Sequence, residues 1–232
     1  MKEDIVGGYW SKFWSGHDAS AGDDQSQVLR VRNNMSISES QWQFTLKKIS
    51  EQFPLTADDC VIDLCAGNGL FSAEFAPVVS RLYAVDINPG LVKNIRTKNL
   101  PNVTAIESDV RQIEFESGLF SKVFWYAGIQ YLGEQDIVDM LYRIRQWMRP
   151  GGLLFVGDIP DRSKLWAYFN DETRRAAYFD GIRQGRPIIG TWLDKIWLEN
   201  LCTCAGFSSP KAVDQDPALI YADFRFDLTA ST

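Results

Sequence analysis

The chain has 232 residues, 45% of them hydrophobic and 23% charged, and a formal net charge of −6 at pH 7. That length holds one large α/β domain with its own core, since ~100–200 residues per domain is usual. The acidic balance argues against a broad nucleic-acid footprint, which needs a basic face, and no stretch approaches the length of a membrane span.

The N-terminus, Met1-Lys2-Glu3-Asp4-Ile5, lacks the apolar core of a signal peptide, so a cytoplasmic location is expected. Residues 1–40 are rich in aromatic residues, Gly, Ser and Asn, and are expected to form a cover segment before the main domain at 41–232. Ser40 then opens an apolar-periodic helix through Ile49. From Cys60 onward strand-like and helix-like patterns alternate, the signature of a parallel sheet with crossover helices. Residues 61–64 read as the first strand and 70–79 as its helix. Residues 81–85 form the second strand, and a helix follows from Pro89 to Thr97, where proline in the first turn costs little. Residues 103–107 and 122–125 are the third and fourth strands.

Ile137, Met140, Leu141, Ile144 and Met148 fall at three- and four-residue steps, giving one apolar helical stripe that stops at Arg149-Pro150-Gly151-Gly152. Arg143, Arg145 and Arg149 read as a solvated face of that helix. Residues 153–156 make a fifth strand. An insert at about 160–192, with Trp166 and Trp192, is expected to form a helical cover. A late helix at 194–205 ends at Gly206, and two last strands, 208–213 and 219–227, are close enough to form a hairpin, so the sheet should end with one antiparallel strand. Cys60 and Cys65 flank the first strand, and Cys202 and Cys204 are too close together for an easy disulfide. With His17 the only histidine, no metal site is expected.

The segment Cys60-Val61-Ile62-Asp63-Leu64-Cys65-Ala66-Gly67-Asn68-Gly69-Leu70-Phe71 carries the most chemistry. A buried strand ends near an acid, and a small-residue turn opens into a helix, where open α/β sheets bind nucleotides. Across residues 40–228 the chain resembles the class I S-adenosylmethionine-dependent methyltransferases, with Cys65 in place of the first glycine of their acidic-x-Gly-x-Gly-x-Gly loop. The resemblance extends to Asp86 at the end of strand two, to Glu107-Ser108-Asp109-Val110 after strand three, and to Trp147-Met148-Arg149-Pro150-Gly151-Gly152 before strand five. It implies a doubly wound, seven-stranded, mostly parallel sheet with an antiparallel last strand. It also implies S-adenosyl-L-methionine as cofactor and S-adenosyl-L-homocysteine as product. By the same likeness Asp63, Cys65, Ala66, Gly67, Asn68 and Gly69 form the cofactor loop. Asp86 meets the ribose hydroxyls and Asp109 the adenine amino group, with Ile87, Ser108 and Val110 as further cofactor contacts, and Tyr126 stands near the transferring methyl.

The ligand's charge supports this reading over a dinucleotide. A pyrophosphate would be repelled by an acidic rim of Asp63, Asp86 and Asp109, whereas S-adenosylmethionine carries sulfonium and ammonium groups. Ser72 in place of the third glycine leaves the dinucleotide fingerprint G-x-G-x-x-G/A incomplete, and an NAD-linked oxidoreductase is the alternative to keep in view. Strand four continues as Tyr126-Ala127-Gly128-Ile129 without the Asn/Asp-Pro-Pro-aromatic motif of nucleobase and glutamine methylation. A small-molecule acceptor follows, on oxygen and with some likeness to sugar or sugar-phosphate methylation; a protein acceptor is a further alternative. His17 and Asp158 are the candidate bases. Gln130, Tyr131, Trp166, Trp192 and Arg225 are candidate acceptor contacts. No nucleic-acid or membrane partner is expected, and the chain is expected to be a monomer or homodimer.

Overall fold

The computed structural model describes residues 5–20 and 22–232. An N-terminal helix α1 (Ile5–Ser15) and a single turn α2 (Asp24–Gln27) lead to a two-residue hairpin, β1 (Val31–Arg32) and β2 (Met35–Ser36). Helix α3 (Glu39–Gln52) starts at Ser38, two residues before the expected cap, because Ser38 and Gln41 close a reciprocal capping box. The sheet then builds through β3 (Cys60–Leu64), α4 (Leu70–Phe75), β4 (Arg81–Asp86), α5 (Pro89–Thr97), β5 (Val103–Glu107) and β6 (Phe120–Tyr126). It continues with α6 (Glu134–Trp147), β7 (Met148–Pro160), α7 (Leu165–Tyr168), α8 (Glu172–Arg183), α9 (Lys195–Cys204), β8 (Ser208–Asp214) and β9 (Arg225–Ser231).

Seven strands form one sheet in the order β5-β4-β3-β6-β7-β9-β8. The pairs from β5 to β7 are parallel, and β9 runs antiparallel to both β7 and β8. This is the doubly wound sheet expected, with its reversal between β3 and β6. Strand alternation splits the core. Ile62, Leu64, Val123 and Trp125 pack toward α6 and α9, while Val61, Phe124, Tyr126 and Phe155 pack with Trp42, Phe53, Phe71 and Phe75 on the other face.

Two boundaries and one side chain stand out against expectation, each for a local reason. The last strand lies at 225–231, because Leu219 to Phe224 is taken up by successive tight turns (Leu219 N–H to Asp216 O, Ala222 to Leu219 and Phe224 to Tyr221). Strand β7 starts directly at Met148 and bulges out through Arg149–Gly152, with Gly151 at φ +75°. Arg143 is not a solvated cation: it donates to the carbonyls of Arg111 and Ile113, pairs with Glu114 at 3.0 Å and lies over the Trp147 ring. It thereby ties α6 to the β5–β6 connection.

The insert leaves after Asp161 and returns at Leu193, which bridge one another. It has a small core of its own around Phe169, Trp192 and Phe224. None of its residues lines the main cavity described below; Thr191 docks it by donating to the carbonyls of Gln130 and Leu132. No helix among the described residues is long and apolar enough to cross a membrane.

Candidate active site

A cavity opens over the carboxyl ends of β3, β4 and β6, beneath α1. Its floor comes from the turn after β3. Cys65 holds φ at +59°, the left-handed region a glycine enters freely, and Gly67 follows at +58°. Such a backbone in a non-glycine residue costs on the order of 1–3 kcal/mol, so packing must impose it. The N–H of Ala66 is fixed by Val85 O and that of Gly67 by the Asp86 carboxylate at 2.8 Å. A side chain at Gly67 would strike Val28, whose methyl lies 2.6 Å from the position its Cβ would take.

Asp86 is buried at the end of β4, with one oxygen accepting from Gly67 N–H and the other from Asn88 N–H at 2.9 Å. Burial pushes its carboxyl above the ordinary range despite those donors. Asp109 sits across the cavity in a bidentate pair with Arg111, its closest contact 2.6 Å. Burial works to raise that carboxyl, but the Arg111 guanidinium outweighs it and holds the group below the usual range.

Of the residues expected to contact cofactor, Cys65, Ala66, Gly67, Asn68, Asp86, Ile87, Asp109, Val110 and Tyr126 border this one space. Asp63, Gly69 and Ser108 do not. Asp63 is therefore no part of an acidic rim. It points to the helix face of the sheet, where Ser72 Oγ donates to it at 2.6 Å, and burial pushes its carboxyl up to about 7. Ser108 shapes its own turn by donating to Asp109 O.

The acceptor-side expectations divide in the same way. Tyr131 lines the cavity, its ring between Trp10 and Trp14 at centroid distances of 4.8 and 5.4 Å. Gln130 lies behind it, buried and donating to Ala127 O. Arg225 is buried and donates to Asp158 O at 2.8 Å. Asp158, at φ +60°, is buried beside Gln215 and outside the cavity. Trp166 is exposed on α7 against Tyr178, and Trp192 belongs to the insert's core.

His17 does not reach the cavity either: its Nε2 meets Gln27 O at 2.8 Å, and its ring packs on Phe13 and Trp14. It belongs to a set of contacts that fasten the N-terminal segment over the site. Asn88 Nδ2 donates to Trp14 O and His17 O, Asn94 Nδ2 to Ala19 O, and Asn68 Nδ2 to Asp24 O. All three asparagines stand on the cofactor-loop side of the fold, so the cover and the loop share one hydrogen-bond framework.

Sequence reasoning passed over Arg30, Phe71, Leu91 and Leu132, which also line the space. For Phe71 a signal existed, since the first turn of the helix after the glycine loop faces the ligand side. For Arg30 there was none: its neighbours Trp42, Phe71 and Tyr126 are distant in sequence.

Comparison with known proteins bears on this arrangement. Residues 61–152 match the family described as a methyltransferase domain, a span that runs from β3 into β7 and carries the floor and the Asp86 and Asp109 walls. Residues 61–152 are thus a methyltransferase domain, and the chain is similar to the class I S-adenosylmethionine-dependent methyltransferases. It is 28% identical over 108 residues to phosphoethanolamine N-methyltransferase 1 of Triticum aestivum, covering 44% of this chain and 22% of the relative. It is 27% identical over 126 residues to demethylmenaquinone methyltransferase of Mycolicibacterium gilvum, covering 53% and 52%. The chain thus spans between a fifth and about half of these relatives' lengths. Among solved structures it superposes on phosphoethanolamine N-methyltransferase 1 of Haemonchus contortus, in complex with phosphoethanolamine and S-adenosylhomocysteine (TM-score 0.68, 13% identity, 98% of this chain and 48% of that one). It also superposes on the DhpI–SAM–HEP complex (TM-score 0.66, 12% identity, 100% of both chains). At such identities the superpositions speak for the fold.

Proposed function

We propose that this protein transfers a methyl group from S-adenosyl-L-methionine to a small molecule, on an oxygen that is already ionised when it binds. The observation that carries the cofactor half is the single cavity bordered by the 65–68 turn, Asp86–Ile87 and Asp109–Val110. Those residues fit the cofactor. Asp86 retains acceptor capacity for ribose hydroxyls beyond its two backbone donors, and the turn exposes backbone where a Cβ would obstruct. Ile87, Leu91 and Val110 offer an apolar slot for a base, with Asp109 at its edge. When bound, the cofactor supplies a methyl group activated by positive sulfur.

The acceptor half rests on what the lining side chains do with protons. Burial raises the Tyr126 hydroxyl and the Cys65 thiol far above neutrality and pushes Tyr131 up to about 12. All three stay protonated at pH 7 and serve as donors or apolar walls. Asp86 and Asp109 are committed to the turn and to Arg111. No lining residue among those described is placed to take a proton from a neutral hydroxyl. A carboxylate or phosphate oxygen needs no such base. The side chains' contribution is therefore alignment and exclusion of water, with Trp10, Trp14 and Tyr131 as the cover. A sugar phosphate is one acceptor of this kind.

Calorimetric titration with S-adenosylmethionine, S-adenosylhomocysteine and NAD tests the cofactor assignment. Micromolar binding of the two adenosyl ligands and none of NAD is expected. Binding of NAD alone would overturn it in favour of an oxidoreductase.

A further inference from the structure

Arg30 is a buried cation without a counter-ion. Only 7% of it is exposed, yet no carboxylate among the described residues lies within ion-pair distance, and its buried Nε has no hydrogen-bond partner. It lines the main cavity. Three rings surround its guanidinium, Tyr126 at 5.1 Å and Trp42 and Phe71 each at 5.5 Å from their centroids. The rings hold the group in place through cation–π attraction, the Tyr126 hydroxyl also meets it, and its Nε–H stays unpaired. An arginine cannot relieve this burial by losing its proton, and an unpaired buried charge is costly unless something neutralises it.

The nearby carboxylates are engaged elsewhere. Asp227 accepts from Asp158 N–H and from Gln215 Nε2, both at 2.8 Å, and Asp158 faces Gln215. Arg225, the other buried cation of this region, already donates to Asp158 O and does not line the cavity.

We propose that Arg30 is an oxyanion-binding residue of the cavity, taking a carboxylate or phosphate-type group in the bidentate fashion its fork allows. Tyr126, protonated and in contact with the guanidinium, stands beside the same spot. The inference deepens the reading above and rests on it for the identity of the ligand. The oxyanion comes from one of two sources: the amino-acid end of the cofactor, or the acceptor.

The test compares wild type with Arg30→Met, which keeps the volume between the rings, and with Arg30→Lys, which keeps the charge. Each is titrated with S-adenosylhomocysteine and with 5′-methylthioadenosine, a thioether nucleoside that lacks the amino-acid portion. If the cofactor supplies the group, Arg30→Met weakens S-adenosylhomocysteine binding about tenfold or more and leaves 5′-methylthioadenosine within twofold, with partial recovery in Arg30→Lys. If the acceptor supplies it, both nucleosides bind all variants alike. Inorganic phosphate added to the S-adenosylhomocysteine-saturated protein then raises the melting temperature of wild type and Arg30→Lys but not of Arg30→Met. Equal nucleoside affinities together with an equal phosphate response in all variants would overturn the proposal. Should Arg30→Met not fold, Arg30→Gln takes its place under the same criteria. A wild type that binds neither nucleoside would sink the cofactor reading, while the phosphate titration of the free protein would still decide Arg30.

Discussion

Replacing Asn88 by aspartate separates the two tasks of that side chain. Its Oδ1 caps α5 by accepting from Leu91 N–H at 2.9 Å, and its Nδ2 donates to Trp14 O at 2.7 Å and His17 O at 2.9 Å. Aspartate caps a helix as well as asparagine does but has no N–H to give. The substitution therefore keeps α5 and turns two attractive contacts with the cover into a carboxylate facing two carbonyl oxygens. At roughly 0.5–1.5 kcal/mol net for each hydrogen bond, the cover loses about 2 kcal/mol of hold. That shifts its open–closed equilibrium by about 30-fold, since about 1.4 kcal/mol is a factor of ten. Hydrogen exchange at residues 14–20 should rise by about that factor, while α5, α6 and the sheet keep their protection. If the segment lifts without unfolding the sheet, the melting temperature should fall by less than about 4 °C, below what 2 kcal/mol of global loss gives a chain of this size. Unchanged exchange at 14–20 would refute the pin. So would a uniform rise across the whole sheet.

Asp86→Ala should weaken S-adenosylhomocysteine binding by about 1–3 kcal/mol, read by calorimetry, because a charged acceptor is lost; unchanged affinity in a folded variant removes the ribose assignment. Deleting residues 1–20 should impair turnover far more than it lowers the melting temperature; normal specific activity with a large stability loss makes the segment structural. Asp63 predicts a pH dependence. Its folded pKa of about 7 lies above the ordinary 3.8, so the stability that protonation confers is fully present below about pH 4 and is lost as pH rises to 7. Asp63→Asn, permanently neutral and still able to accept from Ser72, should gain on wild type over that window by a few kcal/mol, at about 1.4 kcal/mol per pH unit at most. Denaturant melts at pH 5 and pH 8 that show the same difference between the two proteins would refute this.

The sheet was legible wherever local and global signals agreed. The helix at Pro89–Thr97 and the strand at Val103–Glu107 fall on their expected bounds, the first because Asn88 and Pro89 mark its start chemically, the second because β-branched and apolar residues sit between turns. The last strand was misplaced because Leu219, Ile220 and Tyr221 look like strand residues. What fixes them as turns is tertiary: the Tyr221 hydroxyl donates to Val31 O, and Arg32 reaches Ile220 O at 2.5 Å. Neither contact is visible from sequence neighbours. The same limit explains the site. Glycine turn and strand-end acids are local patterns, whereas Arg30 acquires meaning only when β6, α3 and α4 bring three rings around it.

This division has a physical reason. The cofactor half is held by backbone geometry at strand ends, and backbone geometry leaves a trace in small residues, caps and acids. The rest of the cavity is assembled from α1, from Tyr126 at the end of β6 and Tyr131 beyond it, and from a cation lent by the segment before α3. Nothing but packing brings these together, and packing tolerates many sequences. Its electrostatics are nevertheless specific: protonated tyrosines and an unpaired arginine form a surface rich in donors and poor in acceptors. A neutral polyol would leave the guanidinium uncompensated, and an ammonium group placed beside it would be repelled. A negatively charged group relieves the charge, and on an acceptor it would arrive already nucleophilic. If the acceptor carries that group, affinity for inorganic phosphate should track the charge at position 30 and not its shape; if the cofactor carries it, affinity for S-adenosylhomocysteine should.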